Sequence, residues 1–316
     1  MNETNRRAFL GGPLMAVTAS AVGSARVATP SSMRLSLSTR IAETKNSAPS
    51  PMKYEDFLAM AKSAGYDALC LRASQAGIQT SLDRLYEMSR LTKEAGLKVS
   101  MVSPDFAVPA NTTKAPECLH HITPYLDVAQ IFGSEMIRVG MKKDEDIVWA
   151  QRASDEARER KLKLVHHAEW QTLFATFEES KRTLKAVNRP NFGFVHDECQ
   201  WMVNTPNYRP EQMGEKIKKI SPWIWNVYVK NQPSGPGNPN RPEISLLDKH
   251  GVNFDLMFEG LNAIHYHGYI TLHSVAAPMG TPQEAAVETH DFLKRYVTKR
   301  NGQPRANPRA RSVPEV

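Results

Sequence analysis

A chain of 316 residues that is 41% hydrophobic can bury one large α/β domain or two smaller ones, and no run in it reaches the roughly 18 consecutive apolar residues of a membrane-spanning helix. The net charge of +7 collects at the ends: Arg6, Arg7 and Arg26 against Glu3, and Arg305, Arg309 and Arg311 against Glu315, leave +3 for the body, which argues against a nucleic-acid partner. Cys70, Cys118 and Cys199 include no CxxC pair, so neither a disulfide framework nor a thiolate zinc site is indicated.

The chain opens MNETNRRAFLGGPLMAVTASAVGSARVA, with paired arginines, a mildly apolar run and small residues before a break near Gly23 to Ala28. That order resembles a twin-arginine export signal over residues 1–30, which would deliver an already folded protein to the periplasm; an unprocessed tail is the alternative. Residues 31–300 then repeat one unit. Met33 to Ser38 alternates as a strand, Tyr54 to Ala64 is an amphipathic helix stopped by Gly65, and Asp67 to Arg72 is a second strand. Leu82 to Ala95 and Lys98 to Ser103 continue the pattern. A loop rich in Pro, Asn and Thr follows, then a helix over Leu119 to Phe132 and a strand over Met136 to Gly140. A charged helix over Asp144 to Arg160 leads into KLKLVHHAEW and, one helix later, RPNFGFVHDECQW, the fifth and sixth strands. Glu211 to Ile220 reads as a helix, Ile224 to Lys230 as the seventh strand, Asn231 to His250 as a long Pro- and Gly-dense loop, and Phe254 to His267 as a helix. Tyr269 to His273 is the eighth strand and Pro282 to Thr298 the closing helix, followed by a basic tail over residues 301–316 expected to be disordered.

Eight strands alternating with about eight helices predict a single-domain (β/α)8 TIM barrel, whose active site lies at the carboxyl ends of the strands. No GxGxxG follows the first strand, and no GxSxG or P-loop is present. Side chains alternate faces along a strand. In the fifth strand Val165, His167 and Glu169 share one parity, and in the sixth Gly193, Val195 and Asp197 do; these point into the barrel if the larger apolar residues face the helices. A slip by one would select His166 and His196 instead. The same parity brings Ala68, Cys70 and Arg72 inward, with Arg138, Lys230 and Arg40 matching by position around the opening. Several cations at one mouth favour an anionic or polyhydroxylated ligand. The loops after the third and seventh strands are candidate lids.

From about Met33 to Thr298, the element order and the segments KLKLVHHAEW, RPNFGFVHDECQW, IWNVYVKNQ and HGYITLHS resemble the xylose isomerase-like TIM-barrel superfamily of sugar isomerases and epimerases, inosose dehydratase-like lyases and endonuclease IV-like enzymes. The resemblance implies one divalent metal held by Glu, Asp, His and Glu from four strands. Those places carry His167, Asp197, Tyr228 and His273 here, so only the Asp is kept. His167, Asp197 and His273 would make a Zn, Mn or Co site of altered preference, or the metal is lost and the cofactor is none. The implied chemistry is proton transfer next to a carbonyl on a sugar, keto-sugar or sugar acid, with a small-molecule carbohydrate as partner. His167, Glu169, His273 and Lys230 would be catalytic, and Arg72, Arg138, Tyr228 and Lys230 would bind substrate. A dehydratase of the same superfamily, or a metal-free sugar-binding or partner protein, are the alternatives. The endonuclease chemistry would need a cluster of zinc ligands that these inward positions do not supply. Oligomerisation is left open.

Overall fold

Each β-strand hydrogen-bonds in parallel to its sequence neighbours, and the eighth closes onto the first, so the sheet has no edge: β1 Arg34–Ser38, β2 Ala68–Arg72, β3 Lys98–Ser103, β4 Met136–Val139, β5 Lys163–His167, β6 Phe192–His196, β7 Ile224–Val229 and β8 Tyr269–Leu272. The computed structural model describes residues 33–44, 49–108, 112–234 and 242–297. The export-signal segment and the basic tail lie outside the described residues. The helices are α1 Tyr54–Ala64, α2 Leu82–Glu94, α3 Glu117–His120, α4 Thr123–Phe132, α5 Asp146–Glu159, α6 Phe177–Val187, α7 Glu198–Asn204, α8 Met213–Ile220, α9 Phe254–Ala263 and α10 Pro282–Val297. This is the (β/α)8 barrel that the strand-helix alternation predicts.

Two cores follow from the alternation of side chains along the strands. The outward set, such as Leu69 and Leu71 on β2 and Phe192 and Phe194 on β6, packs under the helices in one continuous apolar layer. The inward set, Ala68, Cys70, Met101, Met136, Val165, Val195, Tyr228 and Tyr269, fills the barrel. Gly193 belongs to the inward set of β6, and a Cβ there would come within 2.5 Å of the Trp225 ring, so only glycine admits that indole. Gly65 and Gly133 cap α1 and α4 in the left-handed conformation, at φ of 91° and 65°.

Three helices differ from the sequence expectation. The helix expected over Leu119 to Phe132 is two, because His121 leaves helical geometry (φ −139°, ψ 63°) and Pro124 starts a new first turn. The helix expected to reach His267 ends at Ala263, with His265 at a positive φ of 53°. An unexpected helix, α7, begins directly after β6, and its N-cap is Asp197.

The loop after β7 is fixed to the barrel through its described parts. The buried Asn231 amide donates to the carbonyls of Ser245 and Asp248 and accepts from the Val252 N–H at 2.8 Å. Glu243 accepts from Arg40 at 2.6 Å, from the Ser274 hydroxyl at 2.6 Å and from the Val275 N–H at 2.9 Å. This segment is therefore strapped across the ends of β1 and β8.

Candidate active site

Register decides which histidines reach the barrel mouth. His166 points outward: it stacks on Phe174 with ring centroids 4.1 Å apart, its Nε2 accepts the Met141 N–H at 2.8 Å, and its Nδ1 donates to the His167 carbonyl at 2.7 Å. Burial holds its pKa down at about 3, so it is a neutral packing residue with both nitrogens occupied. His196 likewise lies outside the barrel, edge-on to Trp201 and 3.1 Å from Glu198. His167 takes the opposite parity and enters the mouth beside Asp197, Tyr228 and His273.

Asp197 does two things at once. Its Oδ1 accepts the Gln200 N–H at 3.1 Å as the cap of α7, and its Oδ2 lies 2.8 Å from His167 Nε2. That contact places the imidazole proton on Nε2 and the lone pair on Nδ1. Nδ1 is buried with no hydrogen-bond partner among the described residues, and 3.5 Å from Glu169 Oε2. Burial, reinforced by Arg138, holds His167 well below its ordinary pKa, while burial raises Asp197 against the pull of Lys230. The resting pair is a neutral imidazole on a buried carboxyl group.

Lys230, at the end of β7, sits 3.9 Å from Asp197 Oδ2. Burial works against its charge, but Asp197 and Glu169 outweigh it and raise its pKa. With its amide oriented so that each end meets a complementary group, Gln200 donates to Glu169 Oε1 at 3.2 Å and accepts from the Lys230 ammonium. His167, Glu169, Asp197, Gln200 and Lys230 thus form one linked cluster.

His273 belongs to a different network. Its Nδ1 is 3.1 Å from the Ser38 hydroxyl, its Nε2 is 3.5 Å from an Arg72 nitrogen, and its ring stacks on Tyr228 with centroids 3.8 Å apart. Arg72 is paired with Glu43 at 2.9 Å, both buried. His273 is pushed well below its ordinary pKa by burial and by Arg72, Arg40 and Arg138. It is a neutral ring with both nitrogens engaged. The tyrosine between the two imidazoles touches Cys70 Sγ through its hydroxyl at 3.5 Å, and burial raises both groups.

The three residues suggested as metal ligands are neighbours but do not make a ligand set. The Nε2 of His273 faces a guanidinium, the Nε2 of His167 faces Asp197, and Lys230 stands beside the Asp197 carboxylate. Among the described residues no group of three or more His, Cys, Asp or Glu is placed to hold a metal ion. A cation already stands beside His273 and another beside Asp197, and His167 Nε2 is taken up by Asp197, so the donor set does not fit a divalent ion.

Residues 58–296 match the model of the xylose isomerase-like TIM barrel family. The chain belongs to that family. No curated protein matches its sequence. Among solved structures, this family member is similar to a probable 3-DHS dehydratase, AsbF, of Bacillus anthracis, at 15% identity over 83% of this chain and 99% of that one, with a TM-score of 0.64. It is also similar to a D-allulose 3-epimerase of Methylomonas sp., at 17% identity over 84% and 99% of the two chains (TM-score 0.63). A D-psicose 3-epimerase of Clostridium cellulolyticum H10, solved with D-tagatose, matches at 13% identity over 84% and 99% (TM-score 0.63). At these identities the likeness is one of fold.

Most of the residues at the mouth are legible in the sequence, but their counter-charges are not. Glu43 and Glu243 come from loops and meet Arg72 and Arg40 only in the folded chain. Gln200 had a signal: Asp197 three residues before it is a helix N-cap pattern.

Proposed function

We propose that this chain is an enzyme that moves a proton at a carbon next to a carbonyl in a small polyhydroxylated molecule, as an isomerase or epimerase of a sugar, keto-sugar or sugar acid does. One observation carries the reading: a buried imidazole is anchored through Nε2 to a buried carboxyl group and keeps an unpartnered Nδ1 beside a glutamate at the barrel mouth. Proton abstraction needs a neutral base in a fixed orientation and a cation to stabilise the enediolate that forms. His167 is the base. Once it has taken the proton at Nδ1, Asp197 and Glu169 flank the imidazolium on its two sides. Lys230, held charged by the same carboxylates, is the donor to the enediolate oxygen. The epimerases among the similar structures support a carbohydrate as the ligand, and the export-like leader supports action in the periplasm.

The same abstraction followed by departure of a neighbouring hydroxyl is a dehydration, the reaction type that gives the similar Bacillus anthracis protein its name. Incubation with D-tagatose, D-fructose and a set of keto-acid sugars in D2O, followed by proton NMR, separates these outcomes. Deuterium at the carbon next to the carbonyl, with or without a new epimer, is expected; a vinylic signal would mark the dehydratase. Equal exchange by the wild type and His167→Ala, or none by the wild type across the set, would defeat the reading.

A further inference from the structure

One inward side chain has no part in the clusters described so far. Arg138, on β4, is 2% exposed, and among the described residues it forms no ion pair and no hydrogen bond; its Nε is buried without a partner. The contrast with the neighbouring cations is sharp. Arg40 meets Glu243 at 2.6 Å, Arg72 meets Glu43 at 2.9 Å and Lys230 lies 3.9 Å from Asp197. The guanidinium carbon of Arg138 lies 5.9 Å from the centre of the Tyr228 ring, at the outer limit of a cation–π contact. A guanidinium does not give up its proton in a protein, and burying it without a counter-charge is strongly unfavourable.

Its place indicates what would complete it. Arg138 pairs in register with Val165, one inward step below His167, and its guanidinium reaches toward the Tyr228 ring on β7. Its charge is felt by both His167 and His273.

We propose that Arg138 is the anion-binding residue of this site, taking the carboxylate of a small hydroxy- or keto-acid in its planar fork, so that the carbons beyond the carboxylate lie beside His167. A carboxylate matches one unpaired guanidinium in charge and geometry, whereas a phosphate monoester brings close to two negative charges near neutral pH. The inference rests on the proton-transfer reading in naming the substrate class as sugar acids rather than neutral sugars. Binding itself is testable without turnover.

Isothermal titration calorimetry at low ionic strength would compare glycolate, D-glycerate and D-gluconate with their neutral counterparts ethylene glycol, glycerol and sorbitol, and with glycerol 3-phosphate. The proteins are the wild type, Arg138→Met and Arg138→Lys, each checked by thermal melting. The expected result is that at least one acid binds the wild type about tenfold or more tightly than its alcohol. Arg138→Met abolishes that preference and Arg138→Lys keeps part of it. The assignment is overturned if the wild type prefers no acid over its alcohol, if Arg138→Met retains the preference, or if glycerol 3-phosphate binds more tightly than D-glycerate. Should the methionine variant not fold, the wild-type comparison and the lysine variant still decide. Carboxylate binding without deuterium exchange would sink the proton-transfer reading and leave Arg138 standing; exchange confined to neutral sugars would do the reverse.

Discussion

On the side of the mouth formed by β1, β2 and β8, the charged and polar groups are matched within the chain: Arg72 with Glu43, Arg40 with Glu243, and His273 with Ser38 and Arg72. On the side formed by β5, β6 and β7, His167 is held at one nitrogen and open at the other, and Lys230 is close to Asp197 without a tight pair. Both sides use histidine, carboxylate and cation. The difference teaches that residue type alone does not mark a reactive group here. The first side is internally paired, whereas the second keeps a buried imidazole nitrogen with no hydrogen-bond partner among the described residues.

Substitutions on the two sides should therefore fail in different ways. The largest effect is expected from His167→Ala, which should lower the rate of deuterium exchange by about 10²–10⁴-fold, the usual contribution of a general base, while its urea midpoint stays close to that of the wild type. Glu43→Ala on the paired side should do the opposite. It leaves Arg72 buried without its partner, and a loss of roughly 3–5 kcal/mol of stability by urea denaturation is expected; a well-folded Glu43→Ala protein would break the comparison.

A pH titration probes the same side more gently. Burial opposes ionisation of Glu243, but Arg40, Lys230 and Ser274 prevail and hold its pKa down at about 2, below the ordinary 4.5. A carboxyl group depressed by folding stabilises the native state above its unfolded pKa, and that contribution fades as the pH falls from about 4.5 toward 2. Roughly 3 kcal/mol of acid-sensitive stability is expected, and Glu243→Gln should flatten the fall in melting temperature over that window. The smallest effect belongs to Tyr228→Phe, between the two sides. Among the described residues its hydroxyl has only the 3.5 Å contact with Cys70, so stability should move by about 1 kcal/mol or less, and a larger loss would show that the hydroxyl couples the sides.

The barrel was legible because strand parity, helix periodicity and glycine stops are local. Parity also separated His167 from His166 and His196, since a strand that hides Phe192 and Phe194 under its helices must turn the other set inward. What could not be read were the partners of the cations. Glu43 follows the short turn after β1, and Glu243 sits in a long loop 203 positions from Arg40 in sequence; nothing local announces either pairing. The ligand set implied by family resemblance meets a related difficulty: its residues are neighbours, but among the described residues no group of three or more His, Cys, Asp or Glu is placed to hold a metal ion. Arg72 and Lys230 were visible as nearby cations, but their closeness to His273 and Asp197 depends on how the side chains pack.

Asp197 joins two events that are separable in most sites. The carboxyl group that closes the first turn of α7 through the Gln200 amide is the one that aims the imidazole of His167. Loosening that turn should release the ring, and changing the ring's partner should fray the turn. The Gln200 amide is then a reporter: its hydrogen-exchange protection should rise and fall with the fraction of molecules in which Asp197 holds the His167 ring, a backbone readout that needs no ligand at all.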